Sequence, residues 1–82
     1  MYMSQFKQIV VQIHVDNIVR SLRTAPQQAV RRLVELGLSI CDNPVVKRQK
    51  EQLCTTLSKL VDEGRISEVK QWFADTFIVK NE

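Results

Sequence analysis

Residues 6–19, FKQIVVQIHVDNIV, constrain the fold of this 82-residue chain most, because they can be interpreted as a strand or as a helix. In an extended chain their apolar and polar side chains alternate, and only Val10 interrupts the alternation. β-branched residues dominate the stretch, which favours an extended backbone. The apolar side of such a strand would hold Ile9, Val11, Ile13 and Val15.

A helix over residues 4–23 spreads the same side chains over two nearly opposite apolar faces. One face holds Phe6, Ile9, Val10 and Ile13, and the other holds Val11, Val15, Ile18, Val19 and Leu22. Such a helix must be sandwiched between neighbours, which the other helices of the chain would supply. A lone strand instead needs a partner strand, and only residues 76–80 offer one within the chain. We therefore expect a helix, with the strand as the alternative. A strand without a partner in the chain would pair with a second copy, and the segment is too apolar on two faces for a small monomer to cover easily, so we also expect a homodimer.

Start and stop signals predict two helices in the second half of the chain. Asn43 can cap a helix that begins at Pro44, and Gly64 can end it, which gives a helix over residues 44–63. The next apolar stripe predicts a helix over residues 66–78 that folds back as an antiparallel hairpin. Two aromatic residues of this last helix, Trp72 and Phe73, are expected in the core.

The same signals predict one more helix in the first half. Thr24 can cap it, Pro26 lies in its first turn and Gly37 lies at its end, which gives a helix over residues 26–38. Val30, Leu33 and Val34 are expected to face inward.

The alternative strand leads to a known family. KQIVVQIHVDNIVRSL, residues 7–22, resembles the beginning of a ribbon-helix-helix repressor. In that family two chains pair their N-terminal strands and insert the ribbon into the major groove of DNA. The resemblance implies that Gln8, Gln12 and His14 face outward and contact bases. Pro26 departs from the family pattern, because it interrupts the first helix.

The positive charge of the chain is concentrated in its first half. The first 40 residues carry five basic and two acidic side chains, whereas residues 41–82 carry seven of each, so the net charge of +3 lies in the first part. Arginine dominates this excess, and its planar group suits phosphate and carboxylate. The short connection at residues 24–26 would bring four arginines together at one corner, where an acidic partner could dock. The candidate contacts to a partner or to phosphate are Arg20, Arg23, Arg31, Arg32, Lys47 and Arg48.

Few residues carry the chemistry of a catalytic or metal site. His14 is the only histidine, and Cys41 and Cys54 are thirteen residues apart without a Cys-x-x-Cys motif. The isolated glycines form no phosphate-binding loop. We therefore expect no enzymatic activity, cofactor, metal or small-molecule substrate. The N-terminal residues lack a signal-peptide pattern and no apolar run exceeds three residues, so we expect free thiols, a cytoplasmic location and no membrane contact.

The whole sequence predicts an all-α, compact four-helix domain over residues 1–82, with a ribbon-helix-helix-like dimer as the alternative fold. We expect a small intracellular regulatory or adaptor protein that performs no catalysis and binds a protein partner through a helical surface. Docking would use apolar anchors at helical spacing and a rim of arginines. The alternative function is that of a dimeric, basic, DNA-binding transcriptional regulator. The candidates for the core or for a dimer interface are Phe6, Ile9, Val11, Ile13, Val15, Ile18, Trp72 and Phe73.

Overall fold

The computed structural model describes the backbone of residues 5–78 and the side chains of residues 9–78. Five α-helices follow one another in this part of the chain: α1 (Gln5–Ser21), α2 (Pro26–Ile40), α3 (Pro44–Lys47), α4 (Lys50–Asp62) and α5 (Val69–Phe77). A 3-10 turn, Ile66–Glu68, leads into α5. The predicted all-α class is confirmed.

Residues 8–15 belong to α1, so the alternative of an N-terminal strand in a ribbon-helix-helix-like dimer is wrong. Val11, Val15, Ile18 and Leu22 recur every three or four residues and are all buried. This spacing matches the turn of a helix, whereas a strand would send Val15 and Ile18 to opposite faces. A helix also pairs its backbone groups internally, which removes the need for a partner strand.

The sandwich expected around α1 does not form within the described chain. α1 packs against α2 and α5, which cover only its inner side. Ile9 and Ile13 are 60% and 54% exposed, whereas Val15 is 3% exposed. One of the two apolar faces predicted for this helix is therefore core, and the other is surface. Phe6 lies outside the residues whose side chains are described.

The connection between α1 and α2 differs from the predicted one. α1 ends at Ser21, and the amide of Ala25 donates to the Ser21 carbonyl at 2.8 Å, which closes the turn. Thr24 does not cap α2, because its hydroxyl donates back to the Ser21 carbonyl at 3.4 Å. Ala25 occupies the N-cap position without a side-chain hydrogen bond, and Pro26 begins the helix.

Gly37 is an interior residue of α2 rather than its predicted end, and the helix continues to Ile40. The residue is buried against α5, and a Cβ atom at this position would overlap the ring of Phe77. Glycine therefore allows a close approach of α2 and α5.

The predicted third helix, residues 44–63, is divided into α3 and α4 by a turn at Arg48 and Gln49. Asn43 caps α3 as predicted, since its side-chain oxygen accepts a hydrogen bond from the Val45 amide at 2.9 Å. The Gln49 amide then donates to the Val46 carbonyl, three residues earlier, at 3.0 Å. This is the bond of a 3-10 turn, so the α-helical hydrogen-bond pattern is interrupted here. No residue of α3 is fully buried and only Val46 packs against the core, so little packing favours a continuous helix here.

Gly64 ends α4 as predicted, with a positive φ of 74°. Its amide bonds the carbonyl of Val61 at 3.0 Å, and the amide of Arg65 bonds the carbonyl of Leu60 at 2.9 Å. These two bonds form a Schellman motif, in which glycine has the left-handed conformation at lowest cost. The guanidinium group of Arg65 then forms an ion pair with the Glu68 carboxylate at 2.7 Å, which stabilises the turn before α5.

The core is one apolar cluster around α2, which packs against α1, α4 and α5. Leu33 and Val34 of α2 are completely buried. Phe73 is also buried, with its ring centre 5.0 Å from that of Phe77. Trp72 is half-buried and meets Phe77 edge-on at 5.7 Å. The radius of gyration is 12.1 Å, near the value of about 12 Å typical of a folded domain of this length.

Candidate functional site

The outer side of α1 exposes apolar side chains that no described residue covers. Ile9 is 60% exposed, Ile13 is 54% exposed and Val10 is 37% exposed. Three of the four large apolar residues that are exposed in the described chain are thus within one helix. Arg20 lies seven residues beyond Ile13, which is nearly two helical turns, so it lies on the same side. We name the set Ile9, Val10, Ile13 and Arg20 the outer α1 face.

The sequence leaves this face outside because the opposite side of α1 matches the core better. Val15, Ile18 and Leu22 continue the inner stripe over the whole second half of the helix, and all are buried. On the outer side, polar Asn17 and charged Arg20 occupy the corresponding positions. Burying Arg20 would cost several kcal/mol unless it were paired, so the continuous stripe faces inward.

An ion pair holds α1 at its edge. Nζ of Lys70, on α5, lies 2.7 Å from Oδ1 of Asp16. The side-chain amide of Gln12 also donates to Asp16, at 3.4 Å. The hydrogen bond from Lys70 is the main reason that the pKa of Asp16 lies below its ordinary value. Asp16 is the only acidic residue of α1, and its charge is already paired.

Arg20 helps to lower the pKa of Asp16, which lies four residues earlier, but it makes no direct ion pair with that carboxylate. The ion pairs in the described chain involve Lys50, Arg65 and Lys70 as cations, and Arg20 is not among them. The same holds for every other basic residue that the sequence suggested as a partner or phosphate contact. These exposed residues are Arg23, Arg31, Arg32, Lys47 and Arg48.

The arginines of α2 lie on different sides of that helix. Arg31 and Arg32 are consecutive, so their side chains leave the axis in directions about 100° apart. Arg31 borders a shallow depression between α2 and α4, whose lining residues are Arg31, Glu35, Lys50, Glu51 and Cys54. Oε2 of Glu35 lies 3.7 Å from Nζ of Lys50, so these two side chains form an ion pair. Arg31 thus lies on the side of α2 that packs against α4.

The side chains with nucleophilic or metal-binding chemistry are dispersed. Cys41 is buried, Cys54 is half-buried, and both are free thiols. The Sγ atom of Cys41 accepts a hydrogen bond from the Asn43 amide at 3.4 Å. His14 is exposed on α1. Within residues 9–78, no three His, Cys, Asp or Glu side chains are grouped to hold a metal ion.

A second shallow depression follows the outer side of α4. Its lining residues are Cys54, Thr55, Ser58, Lys59, Asp62 and Glu63. All of them belong to α4 or to the residue after it, so no second element closes over this surface. The outer α1 face is thus the part of the described chain where exposed large apolar side chains are grouped.

No family model, curated protein or solved structure matches this chain. In the described part of the chain, no helix has the length and apolar character needed to cross a bilayer. The assignment of a function therefore depends on the surface itself.

Two features of this site were not found from the sequence. The ion pair between Asp16 and Lys70 joins residues that are far apart in the chain, so no local sequence pattern indicates it. The exposure of Ile9 and Ile13 is the second, because the sequence shows two apolar faces but not which one meets the core. One sequence feature could have indicated the inner face: in the second half of α1 one side stays apolar, with Val15 and Ile18, whereas the other becomes polar, with Asn17 and Arg20.

Proposed function

We propose that this protein is a small regulatory or adaptor protein without catalytic activity, which binds a protein partner through the outer α1 face. The exposure of Ile9 and Ile13, one turn apart on a helix whose other side is packed, is the observation that supports the proposal. Apolar side chains at this spacing are the usual anchors when a helix docks into a groove.

The apolar anchors can supply useful binding energy. Complete burial of an isoleucine stabilises by about 1.5–3 kcal/mol relative to exposure. Ile9 and Ile13 have 60% and 54% of their surface left to bury. In proportion, the two together offer about 2–3 kcal/mol, which corresponds to a change in Kd of about 30- to 150-fold. That is the size expected of the central residues of an interface.

Substitution of the two anchors tests the proposal, and the chain offers a matched control. Ile9→Ser with Ile13→Ser removes the anchors, whereas Val45→Ser changes a residue of similar exposure, 58%, on α3. All three side chains are outside the core, so both variants should keep the helical circular dichroism and melting temperature of the parent. Immobilised parent and variants are used to capture partners from an extract of the cells that express the protein, and Kd is then measured with the purified partner.

The double variant should weaken binding by about 30- to 150-fold, and Val45→Ser should leave Kd unchanged. Equal losses in both variants, or no loss in either, would contradict a role for the outer α1 face.

A dimeric DNA-binding regulator is the second candidate, supported by the exposed cations that make no ion pair with the described residues. Residues 8–15 are helical, so the ribbon that would enter the major groove is not part of this proposal. A titration of duplex DNA with salt tests it, because each neutralised phosphate contributes about −0.9 to the slope of log K against log salt. Removal of Lys47 and Arg48 by alanine should then reduce that slope by about two. An unchanged slope would reject phosphate contact at α3.

The homodimer and the cytoplasmic location stay predictions from the sequence. Sedimentation across micromolar concentrations tests the dimer, since a partner copy that covers Ile13 would be lost on Ile13→Ser.

A further inference from the structure

We infer that the partner presents an acidic amphipathic helix to the outer α1 face, with two apolar residues in adjacent turns and a carboxylate about two turns away. This inference depends on the proposed function, namely that the outer α1 face binds a protein. It adds the chemistry of the partner, which the proposed function leaves open.

The spacing along α1 gives the length of the pattern. At 1.5 Å per residue, Ile9 and Ile13 are about 6 Å apart along the axis, and Arg20 lies about 10 Å beyond Ile13. The three side chains form one row, because intervals of four and seven residues are close to whole turns. Asp16 lies on the same row between Ile13 and Arg20, and its charge is neutralised by Lys70. A partner helix packed along this row repeats its own side chains at the same one-turn interval. Its apolar residues would therefore meet Ile9 and Ile13 while a residue two turns away meets Arg20.

The charge on this row selects an acidic residue at that last position. Arg20 makes no ion pair with a described residue. Its charge helps to lower the pKa of Asp16, but that carboxylate, the only one of α1, is bonded to Lys70 at 2.7 Å, so the cations outnumber it here. Arg23 adds a second exposed cation three residues further along. A carboxylate from a partner can accept two parallel hydrogen bonds from one guanidinium group, which makes such a pair specific in geometry.

A second copy of this chain complements the row less well. Residues 1–15 contain no acidic side chain, so an antiparallel pair centred on Ile9 and Ile13 gives Arg20 no carboxylate. If Arg20 were opposite Asp16 of a second copy, Ile13 would be opposite Arg23, and the apolar contact would be lost. In a parallel pair, Arg20 would meet the same residue of the other copy, and the like charges would repel.

Nucleic acid is also a poorer match for this surface. A phosphate backbone would satisfy Arg20 but would leave Ile9 and Ile13 against charged or polar groups. The row combines apolar anchors with a cation at one end, and an amphipathic helix with acidic groups carries both complementary features.

Synthetic helical peptides test the inference. Each peptide carries leucines one turn apart, and a glutamate seven residues before or after them to allow either orientation. The comparison peptides have lysine in place of that glutamate. Binding of fluorescent peptides to the parent is measured by anisotropy at low and at physiological salt. One glutamate peptide should bind the parent about tenfold more tightly than its lysine counterpart, with the difference smaller at higher salt.

A charge reversal identifies the responsible residue. Arg20→Glu should reverse the preference, so that the lysine peptide binds more tightly. Arg32→Glu, a change of an exposed arginine on α2, is the control and should leave the preference as in the parent. Ile13→Ser should weaken both peptides, and circular dichroism confirms that each variant is folded.

The outcomes separate this inference from the proposed function. If Ile13→Ser weakens both peptides but charge has no effect, the acidic partner is rejected and a protein-binding face remains. If Ile13→Ser changes neither peptide, both proposals are rejected. If the parent forms a dimer that Ile13→Ser dissociates and that no peptide disrupts, the occupant is a second copy. If vesicles of phosphatidylcholine with phosphatidylserine bind the parent through Ile13 and the peptides do not compete, a lipid surface replaces the acidic helix.

Discussion

Replacement of Gly37 by alanine should destabilise the protein, although alanine is the better helix-forming residue. In an interior helical position the change gains about 1 kcal/mol from backbone propensity. At this position the new methyl group would overlap the ring of Phe77, which is itself buried. Excess volume in a packed core costs about 1–3 kcal/mol, and contact with a rigid ring belongs at the upper end. The net loss should be about 1–2 kcal/mol.

Such a loss is large for a chain of this size. A small domain of this kind has a total stability of about 3–5 kcal/mol. The melting temperature should fall by about 5–15 °C, since 1 kcal/mol corresponds to about 4–8 °C in a domain of 60–100 residues. Urea unfolding followed by circular dichroism measures the change, and the slope with urea should stay as in the parent.

A double-mutant cycle locates the cause. Phe77→Leu replaces the ring by a smaller, flexible side chain, so in that background Gly37→Ala should cost less than about 0.5 kcal/mol or become stabilising. Gln28→Ala, at an exposed position of α2, is the control for helix propensity and should change stability by a few tenths of a kcal/mol. The explanation is refuted if Gly37→Ala stabilises the parent, or if its cost is the same with Phe77→Leu.

Three further predictions concern local features of the structure. The hydrogen bond from Lys70 lowers the pKa of Asp16, so the pair stabilises the fold at pH values above the ordinary pKa of 3.8. This stabilisation is lost as the pH falls through the lower pKa of the folded state. Asp16→Asn should therefore lower the melting temperature at neutral pH and flatten its decline in acid, and an unchanged acid decline would contradict the pair. Gly64→Ala should cost about 1 kcal/mol in urea unfolding because φ is 74°, whereas Gly64→Asn should cost less; equal costs would argue against left-handed strain. Changing Arg31 and Arg32 to alanine should leave helical signal and melting temperature nearly intact, because neither arginine makes an ion pair with a described residue; unfolding of that variant would show that the arginines are structural.

Much of the helical framework could be predicted from the sequence, because its signals are local. Asn43 caps α3 and Gly64 ends α4 by bonds to residues at most five positions away. The inner stripe of α1 and the aromatic side of α5 were also visible as apolar residues at helical spacing. Local hydrogen bonds and periodicity depend on neighbouring residues alone, so a single sequence is enough to reveal them.

The candidate site needed the tertiary structure. The sequence shows two apolar faces on α1, and only the packing of α2 and α5 selects the one that carries Val15 and leaves Ile9 and Ile13 outside. Burial is a competition among all the faces that the chain could bury, so it cannot be judged from one helix.

Gly37 and Asp16 show the same limit for single residues. By its position Gly37 resembles a helix end, yet α2 continues through it because the ring of Phe77 needs the space of the missing side chain. Asp16 of α1 pairs with Lys70 of α5, a contact between distant parts of the chain that no local sequence pattern indicates. The sequence by itself determined the all-α class, the start of α3 at Asn43 and the end of α4 at Gly64, since those signals are local. Only the tertiary structure decided which surfaces remain open, since that depends on contacts between residues distant in the chain.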